Sequence, residues 1–184
     1  PVALPNGVSL SVDVAPVAPG EPPVIWTTPD DATGEALISV RNGVLELSGA
    51  RLTATPKTPL PTLLAVNHGD LVLRKCILIG PAGDESAGGR LIEFRTDGTR
   101  PFPDRDRGPD ARRPTASLTD CVLMTGGDAI TAEIGRGTIA MENCAVASGA
   151  TALVLRPQKG RRDRFAADLV LDRCTIAGLE NVVS

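Results

Sequence analysis

Leu71-Val72-Leu73-Arg74-Lys75-Cys76-Ile77-Leu78 decides the fold, because four other stretches repeat its pattern. Ala116-x-Leu118-x-x-Cys121-x-Leu123, Ile139-x-Met141-x-x-Cys144-x-Val146 and Leu169-x-Leu171-x-x-Cys174-x-Ile176 share the template, and Leu45-x-Leu47-x-x-Ala50-x-Leu52 fits it with alanine for cysteine. An apolar dyad precedes each: Ile38 and Val40, Leu64 and Val66, Ile92 and Phe94, Ala132 and Ile134, Leu153 and Leu155. Five positions separate Val40 from Leu45, Val66 from Leu71 and Ile134 from Ile139. Alternation within a dyad marks a strand with one buried face, since successive side chains point to opposite sides. The three-residue step from leucine to cysteine breaks that parity, so the chain must turn a corner between them. Each repeat is then three short strands whose one apolar face closes only if coils stack. The reading is all-β: a right-handed parallel β-helix of about five to six coils.

Outward from this frame, Val24 and Trp26 fall 26 positions before Ala50 and Leu52, and Leu10 and Val12 take the places of Leu45 and Leu47. Residues 8 to 26 are expected to form an incomplete first coil, with Pro16 to Pro23 as a bulged corner on a terminal edge. Val183 follows Ile176 by seven positions, as Leu153 follows Val146, so a last coil begins and is not finished. One domain over 1–184 is expected: an N-terminal incomplete coil and cap over 1–35, stacked coils over 36–184.

Composition narrows function. The 184 residues carry 19 Lys plus Arg against 22 Asp plus Glu, a net charge of −3, which disfavours a nucleic-acid partner. One His, no Tyr and 2% aromatic residues leave little for histidine chemistry or for stacking sugars on rings. No apolar run reaches the roughly 20 residues of a membrane helix. Beginning with Pro1 and stopping in an apolar run, the sequence is read as a domain cut from a longer polypeptide.

Cys76, Cys121, Cys144 and Cys174 are separated by 45, 23 and 30 positions, without a CxxC pair. In the frame they stack about 4.8 Å apart in a straight internal column. Such a column cannot close a metal tetrahedron, and its parallel side chains sit farther apart than the roughly 3.5 to 4.5 Å between Cβ atoms of a disulfide. The expectation is a buried ladder of free thiols with no metal or cofactor. Free thiols lean toward a reducing compartment, with the cytoplasm as the favoured location for this segment.

Two insertions leave the corner after the first dyad: residues 95–114 and 156–167. They bring Arg100, Arg105, Arg107, Arg112, Arg113, Arg156, Arg161, Arg162 and Arg164 to one corner among Asp97, Asp104, Asp106, Asp110 and Asp163. Arginine forks suit carboxylate, sulfate or phosphate groups, which makes this corner a candidate site for an anionic ligand or a protein segment. The competing reading is a self-neutralising, solvated loop pair. On the outer face of the first strands, Glu93 and Glu133 are expected side by side at about 4.8 Å, with Arg95 and Arg156 in the next outward column. Paired carboxylates can share a proton, bind Ca²⁺ or act as acid and base. A surface salt-bridge ladder is the plainer alternative.

Coils of the Leu-x-Leu-x-x-Cys-x-Leu type running on to Gly80, Gly126, Gly149 and Gly178 resemble the pectate-lyase-like superfamily of right-handed β-helices over about residues 36–184. More narrowly, the chain is similar to β-helix modules attached to large modular bacterial proteins, including Ser/Thr protein kinases. The narrower resemblance implies a non-catalytic sensing or interaction module, an accessory domain of a larger bacterial protein, which with the arginine corner makes an anionic ligand or another protein segment the expected partner. The broader one implies the alternative, a polysaccharide lyase or glycoside hydrolase using Glu93, Glu133 and Arg95. Against it, the chain lacks the Asn-Thr-Asp, Gly-His-Asp and Arg-Ile-Lys signatures of polygalacturonase-like relatives, and its one histidine, His68, falls in the turn Asn67-His68-Gly69. Unpaired backbone at Val182 and Val183 adds an expectation of self-association through the open end.

Overall fold

The computed structural model describes residues 2–14, 25–27, 35–54, 61–81, 89–96, 114–157 and 166–184. Among them the chain forms only strands, turns and bends, in three sheets whose paired strands are all parallel: a right-handed parallel β-helix. One coil is read from β4 (Ile38–Arg41), β5 (Val44–Ser48) and β6 (Arg51–Thr53), each of which belongs to a different sheet. Successive coils repeat the triplet: β7 (Thr62–Asn67), β8 (Asp70–Arg74), β9 (Ile77–Ile79); β10 (Arg90–Thr96), β11 (Thr115–Thr119), β12 (Val122–Thr125); β13 (Ile130–Ile134), β14 (Arg136–Glu142), β15 (Ala145–Ser148); β16 (Thr151–Pro157), β17 (Ala166–Asp172), β18 (Thr175–Gly178). Ahead of them lie β1 (Val2–Ala3), β2 (Leu10–Asp13) and β3 (Ile25–Thr27), and β19 (Asn181–Val183) starts a further coil. Because β1 pairs Val2 with Ile38, the first coil has all three of its strands, one more than the sequence pattern revealed.

Register follows the apolar columns. Leu10, Leu45, Leu71, Ala116, Ile139 and Leu169 are successive partners in one sheet, as are Trp26, Leu52, Leu78, Leu123, Val146 and Ile176 in another. In the middle coils these side chains are sealed, with Leu45, Leu52, Leu71, Leu73 and Leu78 all at 0% exposure. Burying a leucine to that degree stabilises by roughly 1.5 to 3 kcal/mol, and the continuous columns form a single core.

The corners explain the odd steps in the pattern. Before each Cys or Ala of the ladder one residue adopts left-handed φ: Gly49, Lys75, Asp120, Asn143 and Arg173, at φ between 51° and 67°. This reversal rotates the next side chain inward, so that leucine and cysteine both face the core three positions apart. Non-glycine residues in this region carry strain of about 1 kcal/mol or more, tolerated where the surroundings over-determine the turn. Here the rungs supply the constraint, since Gly49, Lys75, Asp120 and Asn143 each donate N–H to the carbonyl of the next coil at 2.9 to 3.0 Å. The other corner of the first three coils uses the same device at Gly7, Asn42 and His68. There Gly69 sits directly over Gly43, and a Cβ on Gly69 would fall 2.0 Å from the Gly43 carbonyl oxygen.

The stack ends without a cover at its C-terminal side among the described residues. Leu171 and Val183 belong to inward columns yet are 42% and 47% exposed, against 0% for Leu73. Urea unfolding should therefore show Leu73→Ala losing about 2 to 5 kcal/mol and Leu171→Ala less than about 1 kcal/mol. Gly69→Ala should lose at least about 2 kcal/mol through its backbone clash. A Leu171→Ala loss equal to that of Leu73→Ala would mean the last coil is sealed by contacts this structure lacks.

Candidate functional site

The four cysteines stand in one column. Ile77, Val122, Ala145 and Thr175, the residues after them, are rung partners, and all four thiols are free. Each thiol donates to the carbonyl two residues before it, in the strained corner: Cys76 to Arg74 at 3.3 Å, Cys121 to Thr119 at 3.2 Å, Cys144 to Glu142 at 3.2 Å, Cys174 to Asp172 at 3.2 Å. Cys76, Cys144 and Cys174 also reach the coil before, at Leu47, Leu118 and Met141. The column is corner chemistry: each of these carbonyls already accepts a rung N–H from Gly49, Lys75, Asp120 or Asn143, and the thiol adds a second, weaker donor at the same corner. No group of three or more His, Cys, Asp or Glu among the described residues is arranged to hold a metal ion.

The three stacked thiols titrate as a unit: Cys121 is raised by its neighbours Cys144 and then Cys76, reinforced by burial, while the same contacts to Cys121 lower Cys76 to about 7 and Cys144 to about 6. A raised folded-state pKa favours the protonated thiol, so this stabilisation is present below the unfolded thiol pKa and is lost as pH rises through it. Unfolding free energy should rise from about pH 6 to 8.5, where the lowered Cys76 and Cys144 ionise in the folded state first, and fall above about pH 8.5 from the raised Cys121 by up to about 1.4 kcal/mol per pH unit; Cys121→Ala, which removes the contacts that shift all three, should flatten both limbs. An unchanged slope in urea titrations from pH 7.5 to 10 would remove Cys121 from the account.

On the outer face of the sheet that begins each coil, the structure corrects the sequence frame. Ile130 and Ala132, not Ala132 and Ile134, lie beside Ile92 and Phe94, and Ile134 is level with Thr96. The five-residue interval from Ile134 to Ile139 imitated a plain corner, but Ile130, Ala132 and Ile134 are all inward and buried, seven positions rather than five separate Ala132 from Ile139, and the chain turns at Gly135 between β13 and β14. Glu93 is therefore level with Ala65 and Thr131, while Glu133 is level with Arg95 and Arg156. The expected side-by-side Glu93–Glu133 pair does not exist. The two are offset by one strand and two residues, roughly 8 Å between backbones.

What stands in its place is a charged column along the stack: Arg41, Asn67, Arg95, Glu133, Arg156. Each residue immediately follows the second inward residue of its coil, Val40, Val66, Phe94, Ala132 or Leu155, which is the sequence signal for Arg41 and Asn67 that the pattern reading passed over. Arg95 is central. Its Nη2 donates to Glu93 and its Nε lies 3.9 Å from Glu133, while Arg90 approaches Glu93 at 3.4 Å. Both carboxylates are thus engaged by guanidinium groups. Arg41 and Arg156 are exposed, with no carboxylate at salt-bridge distance among the described residues. The neighbouring outward column is closed: Ala65, Thr131 and Val154 are buried, and Thr131 Oγ1 makes no hydrogen bond.

Of the arginines singled out at the insertion corner, Arg156 is described, while Arg100, Arg105, Arg107, Arg112, Arg113, Arg161, Arg162 and Arg164 lie outside the described residues. Both insertions leave from this sheet, one after Thr96 and the other after Pro157, residues that Ile134 pairs on either side. Arg95 and Arg156, two strands apart, stand at their roots. No family model matches the chain, and neither a curated protein nor a solved structure matches it.

Arg95 is half-exposed and Glu93, though largely covered, keeps Arg90 beside it, so the Arg95 pairs are limited to about 0 to 1 kcal/mol of stability. Arg95→Ser and Glu133→Gln should each leave the thermal midpoint within about 3 °C of the wild type. A fall of 10 °C would show instead that the column is a structural clamp.

Proposed function

We propose that the chain is a non-catalytic β-helix module that binds an anionic ligand or an acidic protein segment along the Arg41–Arg156 column and the insertion corner it leads into. The observation that carries this reading is the register placing Glu133 between Arg95 and Arg156 while Glu93 is gripped by Arg95 and Arg90. Acid/base catalysis by a carboxylate pair needs two carboxyl groups converging on one substrate position. Both of these are already held by guanidinium groups, Glu93 by Arg95 and Arg90 and Glu133 by Arg95. Arg41 and Arg156 instead present forks ready for carboxylate, sulfate or phosphate groups.

The resemblance to pectate-lyase-like β-helices and to accessory modules of bacterial kinases and other large proteins is in keeping with this role. A rigid solenoid offers a fixed row of side chains, and a larger parent would supply any catalysis. The uncovered last coil supports a further contact, association of two copies through Leu171 and Val183. It predicts a rise in apparent mass with concentration in light scattering, abolished by Val183→Lys; a constant monomer mass to millimolar concentration would refute it.

Polyglutamate and polygalacturonate test the main reading at low ionic strength, with Ca²⁺ present. Binding is expected without chain cleavage, weakened by Arg95→Ser and Arg156→Ser and by replacing Arg105, Arg107, Arg161 and Arg162 with Ser. Turnover of polygalacturonate that vanishes in Glu93→Gln or Glu133→Gln would establish the enzyme alternative in its place.

A further inference from the structure

The four thiols repeat in orientation as well as in position. Cys76, Cys121, Cys144 and Cys174 lie on successive coils, and each Sγ donates to the carbonyl two residues before it at 3.2 to 3.3 Å. One contact made four times means one side-chain orientation repeated four times. The sulfurs therefore follow the strand spacing of about 4.7 to 4.9 Å, facing each other along the stack axis. That gap is more than twice the roughly 2.05 Å of an S–S bond, and all four cysteines are free. It is close to the length of a sulfur–metal–sulfur line, two metal–thiolate bonds of about 2.3 Å each, or about 4.6 Å.

Metals that need a tetrahedral or larger shell of protein ligands find no cluster of three or more His, Cys, Asp or Glu among the described residues. Soft closed-shell cations such as Cu(I) and Hg(II) prefer thiolates and are satisfied by two in a straight line. The rungs hold two sulfurs at that separation before an ion arrives, so binding requires no rearrangement of the coils. Two S–H bonds break, two sulfur–metal bonds form, and two protons leave to solvent. Where Cys144 and Cys174 withdraw as donors, the carbonyls of Glu142 and Asp172 keep their rung N–H groups from Asp120 and Asn143.

Access selects one pair. Cys76, Cys121 and Cys144 are buried, whereas Cys174 is partly exposed on the uncovered last coil, so an ion entering the column meets Cys174 first with Cys144 behind it. We infer that Cys144 and Cys174 form a two-coordinate site for a soft closed-shell cation at the C-terminal end of the thiol column, in place of the metal-free ladder expected from the sequence.

The test replaces two cysteines at a time with alanine in the reduced 184-residue chain, since Ala50 already fills the corresponding place one coil before Cys76. Each variant is titrated with Hg(II), with Cu(I) under anaerobic conditions and with Zn(II); native mass spectrometry counts the ions and X-ray absorption counts the sulfur neighbours. Cys76→Ala with Cys121→Ala keeps the proposed pair and should bind one soft ion per monomer through two sulfurs, releasing about two protons. Cys121→Ala with Cys174→Ala leaves Cys76 and Cys144 two rungs apart, about 9.6 Å, and should bind at least about a hundredfold more weakly. Circular dichroism melts confirm that both variants fold. Tight binding of Hg(II) or of Cu(I) by the first variant alone supports the site and identifies its ion. Binding of neither, equal affinity of the two variants, an ion held only between two copies, more than two sulfur neighbours, or Zn(II) bound as tightly each overturns it.

Discussion

Every feature of this molecule depends on rung-to-rung contact between coils. A coil of three short strands has one apolar face and cannot bury it alone; its leucines are sealed only when the next coil lies on them, as at Leu45, Leu71 and Leu73. The same contact stabilises the corners, where Lys75, Asp120 and Asn143 hold a backbone conformation that isolated residues of their type disfavour. Hydrophobic burial and backbone hydrogen bonding therefore act on one register, and neither is satisfied in another.

The thiol ladder belongs to that arrangement rather than to catalysis. A residue there must be small enough for a crowded corner, apolar enough for the core, and able to donate to the carbonyl two positions earlier. Cysteine meets all three conditions, and Ala50 at the corresponding place meets the first two. The cysteines are thus spaced by the length of each coil and not by any ligand.

Stacking also determines what the outer surface can do. Residues far apart in the chain become neighbours at strand spacing, so Arg41 and Arg156 belong to one row although 115 positions separate them. The row is regular rather than deep, its side chains set at fixed strand intervals by the rung pairing.

The sequence by itself determined the class of fold, the identity of the inward columns in five coils, the stacking of the four cysteines and the alignment of Leu10, Trp26 and Val183, because strand alternation and the leucine-to-cysteine step are local consequences of backbone geometry. It misplaced Ile134 and with it Glu133. An interval of five residues fits either a plain corner or a longer strand with a tighter turn, and local pattern cannot tell them apart. Only tertiary pairing distinguished them: Ile130 pairs with Ile92, and because a shift of two residues leaves Ile130, Ala132 and Ile134 on the same inward face in either register, alternation alone could not choose. That two-residue shift exchanged a carboxylate pair for an Arg–Glu–Arg row, because on a pleated strand a functional neighbour is defined by hydrogen-bonded register across coils, which no single stretch of sequence encodes.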